Sequence, residues 1–218
     1  MQLVLTPELL LEAYRQGLFP MSYSADSPYI HWVCPEMRGQ LSIEKLHVPR
    51  RLKKTVRSSP YEVRIDTAFE QVIGACATAT ETRPETWINR QIENAFIGLY
   101  ARGYAHSVEC WRGSELVGGL YGLAIGGAFF GESMFSRARD ASKIALVHLA
   151  ARLSAGGFTL LDTQFVNDHL EQFGVYEVPH ETYKKQLIAA LEHKADFKLK
   201  GRGEDSLLEA YWRKNSGA

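Results

Sequence analysis

Apolar residues recur at intervals of three and four in several stretches of the chain, which is the pattern of amphipathic helices. Thr6, Asp66 and Asp140 each precede such a stretch, and their side chains are of the types that cap helices. Helices are predicted at residues 7–16, 50–57, 67–77, 89–102, 141–155, 167–173 and 180–191.

Other apolar runs alternate with polar residues or continue for four to ten positions, which is typical of strands. From residue 103 onward the order of hairpin, strand, helix, strand, helix and strand predicts a mixed sheet with flanking helices. We expect a smaller, less regular domain at residues 1–58, a larger one at 59–218, and a frayed tail from residue 213. Strands are predicted at residues 29–33, 39–43, 61–65, 106–111, 116–125, 128–134, 158–161 and 176–178.

Composition narrows the class of protein. The 218 residues carry 25 basic and 25 acidic side chains, so a protein that coats long nucleic acids is disfavoured, although a small basic patch could hold one RNA end. The three cysteines lie far apart and are expected to be free thiols. The amino terminus does not resemble a signal peptide, and no apolar run approaches the ~20 residues that span a bilayer. We therefore expect a cytoplasmic protein without a membrane segment.

A carboxylate lies within an aromatic run at the end of one predicted strand. Glu132 and Ser133 stand among Phe129, Phe130 and Met134. Partial burial would raise the pKa of Glu132 unless a cation or an amide donor is near. The side chain could bind a cationic or amino group of a ligand, or it could be an ordinary strand-end glutamate that faces solvent.

Two polar side chains end the buried strand that starts at residue 158. Asp162 and Gln164 are two positions apart, so their side chains should share a face of the sheet. The aspartate could then orient the amide so that its oxygen faces an incoming amine. The alternative is that these residues cap the helix predicted at 167–173.

Tryptophans and basic residues offer a possible contact with RNA. Trp32, Trp87 and Trp111 lie in polar surroundings, and aromatic faces stack on exposed bases with about 1–3 kcal/mol per base. The basic run at 50–57 could contact phosphates, and so could the segment at 136–143, which carries two arginines and leads into a helix. Core packing and a solvated helix face are the competing explanations.

Taken together, these residues resemble the bacterial leucyl/phenylalanyl-tRNA–protein transferases, over about residues 6–191 and in the family's order. The motifs are Gly17-Leu18-Phe19-Pro20-Met21, His31-Trp32-Val33-Cys34-Pro35 with Arg38, Thr86-Trp87-Ile88, His106-Ser107-Val108-Glu109-Cys110-Trp111, Leu116-Val117-Gly118-Gly119-Leu120-Tyr121-Gly122, Gly126, Phe129-Phe130-Gly131-Glu132-Ser133-Met134-Phe135-Ser136, Ala141-Ser142-Lys143, Asp162, Gln164, His169-Leu170 and Gly174.

The resemblance implies an α+β fold in which a small N-terminal domain precedes a domain like that of the GNAT acetyltransferases. It implies transfer of Leu or Phe, less often Met, from aminoacyl-tRNA to proteins that begin with Arg or Lys, which creates an N-degron. It implies no metal and no cofactor, and we expect a monomer. An acetyl-CoA-dependent N-acetyltransferase and a non-catalytic RNA-binding adaptor are the alternatives.

The resemblance also implies roles for individual residues. Gln164 would hold the α-amine of the acceptor, oriented by Asp162, and Glu132 would bind a cationic or amino group beside it. Trp32 and Trp87 would pack near the terminal adenosine of the tRNA. The donor's side chain would enter an apolar pocket lined by Phe129, Met134, Leu120 and Leu161, and Ser133 would also bind substrate.

Overall fold

The computed structural model describes residues 4–58, 60–80 and 85–215. The first helix shows how local signals start an element, because the Thr6 side chain accepts the Leu9 amide at 3.2 Å and proline occupies the first turn. The helices are α1 (Pro7–Arg15), α2 (Arg50–Arg57), α3 (Phe69–Ala77), α4 (Arg90–Ala101), α5 (Ala141–Gly156), α6 (Asp168–Glu171), α7 (His180–Glu192) and α8 (Glu204–Asn215).

The strands form a two-stranded ribbon and a seven-stranded mixed sheet. The ribbon pairs β1 with β2, and the large sheet has the order β4-β5-β6-β7-β8-β3-β9. β7 and β8 run parallel, and the other neighbouring pairs are antiparallel. The strands are β1 (Phe19–Ser22), β2 (Ile30–Val33), β3 (Met37–Leu41), β4 (Glu62–Ile65), β5 (Ala105–Arg112), β6 (Glu115–Ile125), β7 (Ala128–Ser136), β8 (Leu160–Gln164) and β9 (Tyr176–Pro179).

Two apolar clusters cover the large sheet. One includes buried side chains of α1, α3, α4 and α7 and takes in Tyr14, Phe130 and Tyr183. The other includes buried side chains of α2, α5 and α8 and takes in Phe129 and Leu161. Because neighbouring strand residues face opposite sides, Phe129 and Phe130 contribute to different clusters. The α+β arrangement of a mixed sheet with flanking helices is therefore confirmed.

Most predicted elements are present, but two predicted caps are wrong. Asp66 has a positive φ of 57° and accepts the Ser107 amide at 2.8 Å, while α3 begins only at Phe69. Asp140 occupies the N-cap position of α5, but with a φ of 59° its side chain makes no capping hydrogen bond and lies 3.7 Å from Lys143 Nζ. Neither aspartate therefore caps its helix with its side chain.

Two elements were not expected. No strand was predicted before residue 29, yet β1 pairs with β2, and an edge ribbon tolerates a proline such as Pro20. α8 occupies part of the region that was expected to fray, and its buried Leu208 and Tyr211 join the cluster around α5. The fraying prediction for residues 213–215 is therefore wrong, and residues 216–218 lie outside the described part of the chain.

β3 joins the amino-terminal part of the chain to the large sheet. It lies between β8 and β9, and its Gln40 is the register partner of Asp162. Residues 37–41 thus belong structurally to the main sheet, whereas the domain boundary at residue 58 stays a prediction. Within the described helices, none has the length and apolar character that crossing a membrane requires.

Candidate active site

Glu132 and Gln164 lie just beyond the point where the pairing of β7 with β8 ends. These strands are parallel neighbours, and their last register pair is Phe130 with Asp162. The side chains that follow this pair on the two strands can therefore meet. Glu132 and Gln164 do so, because the Gln164 amide nitrogen Nε2 donates to Glu132 Oε1 at 3.2 Å.

Asp162 is fully buried and fully engaged. Arg38 donates to both carboxylate oxygens, with Nε 2.9 Å from Oδ1 and Nη2 2.8 Å from Oδ2. The Tyr183 hydroxyl donates to Oδ2 at 2.7 Å, and the Gln164 backbone amide donates to Oδ1 at 2.8 Å. Charge-assisted bonds of this number hold the carboxylate in one position.

Arg38 is buried as completely as its partner. Its guanidinium lies 4.7 Å from the Phe19 ring centre and 4.4 Å from that of Tyr183, and Nη1 donates to the Gly17 carbonyl at 2.9 Å. Burial alone would lower the pKa of Arg38, but Asp162 raises it above its usual value. The arginine therefore stays cationic and links the end of α1 to β8.

Tyr183 completes this buried network from α7. Burial, and then the neighbouring charge of Asp162, raise the pKa of Tyr183 far above its usual value. The phenol therefore stays neutral and acts as a hydrogen-bond donor.

Gln164 adopts a strained backbone conformation. Its φ is 59°, in the left-handed region, which costs a non-glycine residue about 1–2 kcal/mol. Asp162 holds the backbone amide of Gln164, whereas the side-chain amide is held by Glu132. The expected orientation of the Gln164 amide by direct contact with Asp162 is therefore wrong; the contact is to the backbone. The helix-cap alternative is wrong too, because Asn167 accepts the Leu170 amide at the start of α6.

Glu132 is the extra residue of a bulge in β7. Tyr121 pairs with Ser133 and Gly122 with Gly131, which leaves Glu132 unpaired in the ladder. Bulges of this kind redirect a side chain next to a site. Glu132 is partly buried rather than a solvent-facing glutamate. Burial raises its pKa to about 8, the nearby Tyr14 hydroxyl and Arg38 oppose the rise, and Asp162 adds to it.

The four apolar residues predicted for a donor pocket lie in one cluster. Leu120 is the register partner of Met134, and Phe129 is the register partner of Leu161. Leu120, Phe129 and Leu161 are buried, and Met134 lies partly exposed at the edge of the cluster, two positions from Glu132. Ser133 is also partly exposed on the same bulged stretch.

The tryptophans separate into two groups. Trp32 and Trp87 are partly exposed and pack against the cluster that contains Tyr14. Their segments are joined, because the Ser22 amide of the ribbon donates to the Trp87 carbonyl at 3.1 Å. Trp111 is buried, and its indole N–H donates to Glu109 at 3.0 Å. It therefore has no exposed face on which a base could stack.

The two basic stretches differ in availability. α2 buries Leu52 and Val56, and most of its basic side chains remain at least partly exposed, so a phosphate contact there stays a prediction. At the start of α5 the Ser136 hydroxyl accepts the Ser142 amide at 3.3 Å, which satisfies part of the predicted anion site internally.

The residue-level reasoning missed the buried partners of the site. Tyr14 and Tyr183 lie in ordinary amphipathic helices, where an aromatic residue indicates core packing. Arg38 entered only through the family resemblance. The sequence feature that could have identified it is an arginine inside a strand whose next residues, Gly39 and Gln40, are buried. An arginine that is buried in a strand requires a carboxylate partner.

Two family models together match most of the chain. The family model described as leucyl/phenylalanyl-tRNA protein transferase matches residues 40–188, and the model of that family's N-terminal domain matches residues 4–36. A leucyl/phenylalanyl-tRNA–protein transferase of Paramagnetospirillum magneticum is 58% identical over 193 residues, which covers 88% of this chain and 92% of the relative.

Two further relatives with the same name show similar agreement. The protein of Afipia carboxidovorans is 56% identical over 193 residues, 88% of this chain and 85% of its own length. That of Phenylobacterium zucineum is 55% identical over 197 residues, 90% of this chain and 89% of its own length. The chain therefore belongs to the leucyl/phenylalanyl-tRNA–protein transferase family of aminoacyltransferases.

Proposed function

We propose that this protein transfers Leu or Phe, and less often Met, from aminoacyl-tRNA to the N-terminal Arg or Lys of acceptor proteins. The product carries a new peptide bond and an N-degron. We further propose that the enzyme acts as a monomer in the cytoplasm. Family membership and the names of relatives at 55–58% identity support this function.

One observation carries the proposal. A connected polar group is formed by Asp162, Gln164 and Glu132. Asp162 is fully buried, and Glu132 is partly exposed, so the group reaches the surface at Glu132. The donor is an activated ester, so the enzyme has to align a free amine with the ester carbonyl and stabilise the tetrahedral intermediate. Gln164 would hold the amine by its amide oxygen, and Asp162 would fix the backbone of Gln164.

The apolar residues around Met134, which lies two positions from Glu132, would select the donor. Met134 and Ser133 would form the entrance of the pocket, and Leu120, Phe129 and Leu161 its walls. An apolar pocket rejects charged side chains by desolvation, although it gains only ~1–3 kcal/mol from a methylene. Trp32 and Trp87 would pack near the terminal adenosine.

We also propose that the large sheet is a GNAT-like domain. The support is the mixed sheet with helices on both faces, whose parallel pair β7–β8 carries the candidate site. The domain division at residue 58 would place the aromatic ribbon in the smaller domain.

Acetyl-CoA would be the donor if the alternative function were correct. The family and relatives that match are aminoacyltransferases by name, which favours a tRNA-borne donor. Calorimetric titration separates the two: puromycin, an aminoacyl-adenosine mimic, should release heat on binding, and coenzyme A should not. Tight binding of coenzyme A without binding of puromycin would refute the proposal.

A further inference from the structure

Asp162 has no free capacity for a substrate. Its side chain is 0% exposed, and each oxygen already accepts from two residues, Oδ1 from Arg38 and Gln164 and Oδ2 from Arg38 and Tyr183. A substrate amine could reach this carboxylate only if the core around it opened. Asp162 is therefore a positioning residue, which holds the left-handed backbone of Gln164.

Gln164 can hold an amine but cannot accept its proton for transfer elsewhere. Its amide nitrogen is a donor and is directed to Glu132, which leaves the amide oxygen as an acceptor. A carboxamide side chain does not ionise at neutral pH. The proton that the nucleophile must lose therefore needs another acceptor.

Asp162 and Glu132 are the titratable side chains of the polar group. Glu132 is the one that is partly exposed and in contact with the Gln164 side chain. The bulge in β7 brings its carboxyl group to the Gln164 side chain, so the residue that would hold the amine is in direct contact with this carboxylate. The charged or titratable groups around it are Tyr14 from α1, Arg38 from β3 and Asp162 from β8.

We propose that Glu132 is the proton acceptor of the transfer reaction. The acceptor nitrogen forms a bond to the ester carbonyl carbon, and the Glu132 carboxylate takes one proton from that nitrogen. The bond between this carbon and the ribose oxygen then breaks, and Glu132 returns the proton to the departing oxygen. No other reactant is consumed. The inference depends on the proposed function, since it needs an aminoacyl ester and an amine.

The raised pKa of Glu132 is consistent with this role. Its pKa of about 8 lies close to that of a free α-amino group, about 7.7–8.0. Proton transfer between matched groups has little thermodynamic cost, and general acid–base catalysis of this kind contributes about 10²–10⁴-fold.

The test compares wild-type enzyme with Glu132→Gln, which keeps an oxygen for the Gln164 amide, and with Glu132→Asp, which keeps a carboxylate. Single-turnover transfer from Phe-tRNA to a peptide that begins with Arg is measured between pH 6 and 9, with puromycin affinity as a check on the donor site. We expect kcat to fall by about 100-fold or more in Glu132→Gln and by less in Glu132→Asp. Puromycin affinity should change less than about threefold.

The pH profile separates catalysis from binding. Below pH 7, log(kcat/KM) should rise with a slope approaching two in the wild type, because amine and carboxylate must both lose a proton, and with a slope of one in Glu132→Gln. A Glu132→Gln enzyme with near-normal kcat, or a loss confined to the acceptor KM, would overturn this role and leave the transferase function standing. Absence of transfer by the wild type would remove both.

Discussion

Replacing Asp162 with alanine should weaken the fold as well as the reaction. The substitution leaves the Arg38 guanidinium buried at 0% exposure, and it removes the acceptor of bonds from Tyr183 and from the Gln164 backbone. Removing one partner of a buried ion pair costs about 3–5 kcal/mol, because the remaining charge is uncompensated. That loss is a large part of the roughly 5–15 kcal/mol by which domains are stable.

Urea unfolding followed by tryptophan fluorescence measures the loss. The matched control is the double variant Arg38→Met/Asp162→Ala, in which no charge is left unpaired. Its loss should be smaller than the sum of the two single losses by about 1–3 kcal/mol. The reasoning is refuted if Asp162→Ala unfolds within about 0.5 kcal/mol of the wild type, or if the two substitutions are strictly additive.

Three further predictions concern the same part of the molecule. The pKa of Glu132 is about 8 in the folded protein, against 4.5 ordinarily, so its contribution to stability is complete below pH 4.5 and is lost as pH rises toward 8, by at most about 1.4 kcal/mol per pH unit. The stability of Glu132→Gln, measured by urea unfolding, should not show this decline, and an unchanged decline would contradict the raised pKa. Gln164→Gly should be about 1 kcal/mol more stable than Gln164→Ala in the same assay, because glycine accepts the left-handed φ of 59°, while both variants lose transfer; equal stabilities would speak against the strain. Gly118→Ala should lower stability by about 1–3 kcal/mol, because the added Cβ would lie 2.5 Å from Ala141 Cβ. Gly131→Ala is the mild control, because its Cβ would lie 3.7 Å from the Asp162 carbonyl oxygen. Equal thermal midpoints for the two variants would show that the close contact at Gly118 relaxes freely.

The helices and strands of the main sheet could be predicted because their apolar periods are local. Asn89 illustrates this, since it stands before a clear helical pattern and its side chain accepts the Ile92 amide at 3.0 Å. The positions of Asp162 and Gln164 at a strand end were equally visible, because a buried run stops there and polar residues begin.

The network behind the site could not be predicted from local pattern. Arg38 and Asp162 are separated by 124 positions, and they meet only because β3 inserts between β8 and β9. The bulge at Glu132 arises in the pairing of β7 with β6, and Gln164 takes its left-handed φ at the end of β8. A period of two along the strand reveals neither feature.

The most direct measurement is transfer of a radiolabelled amino acid from several charged tRNAs, assayed side by side, onto a peptide that begins with Arg. Label should pass from Leu-tRNA and Phe-tRNA, less from Met-tRNA, and not from tRNAs that carry charged or β-branched amino acids. A matched peptide whose α-amine is acetylated should receive none. Equal transfer from all donors, or none from Leu-tRNA and Phe-tRNA, would contradict the proposed reaction.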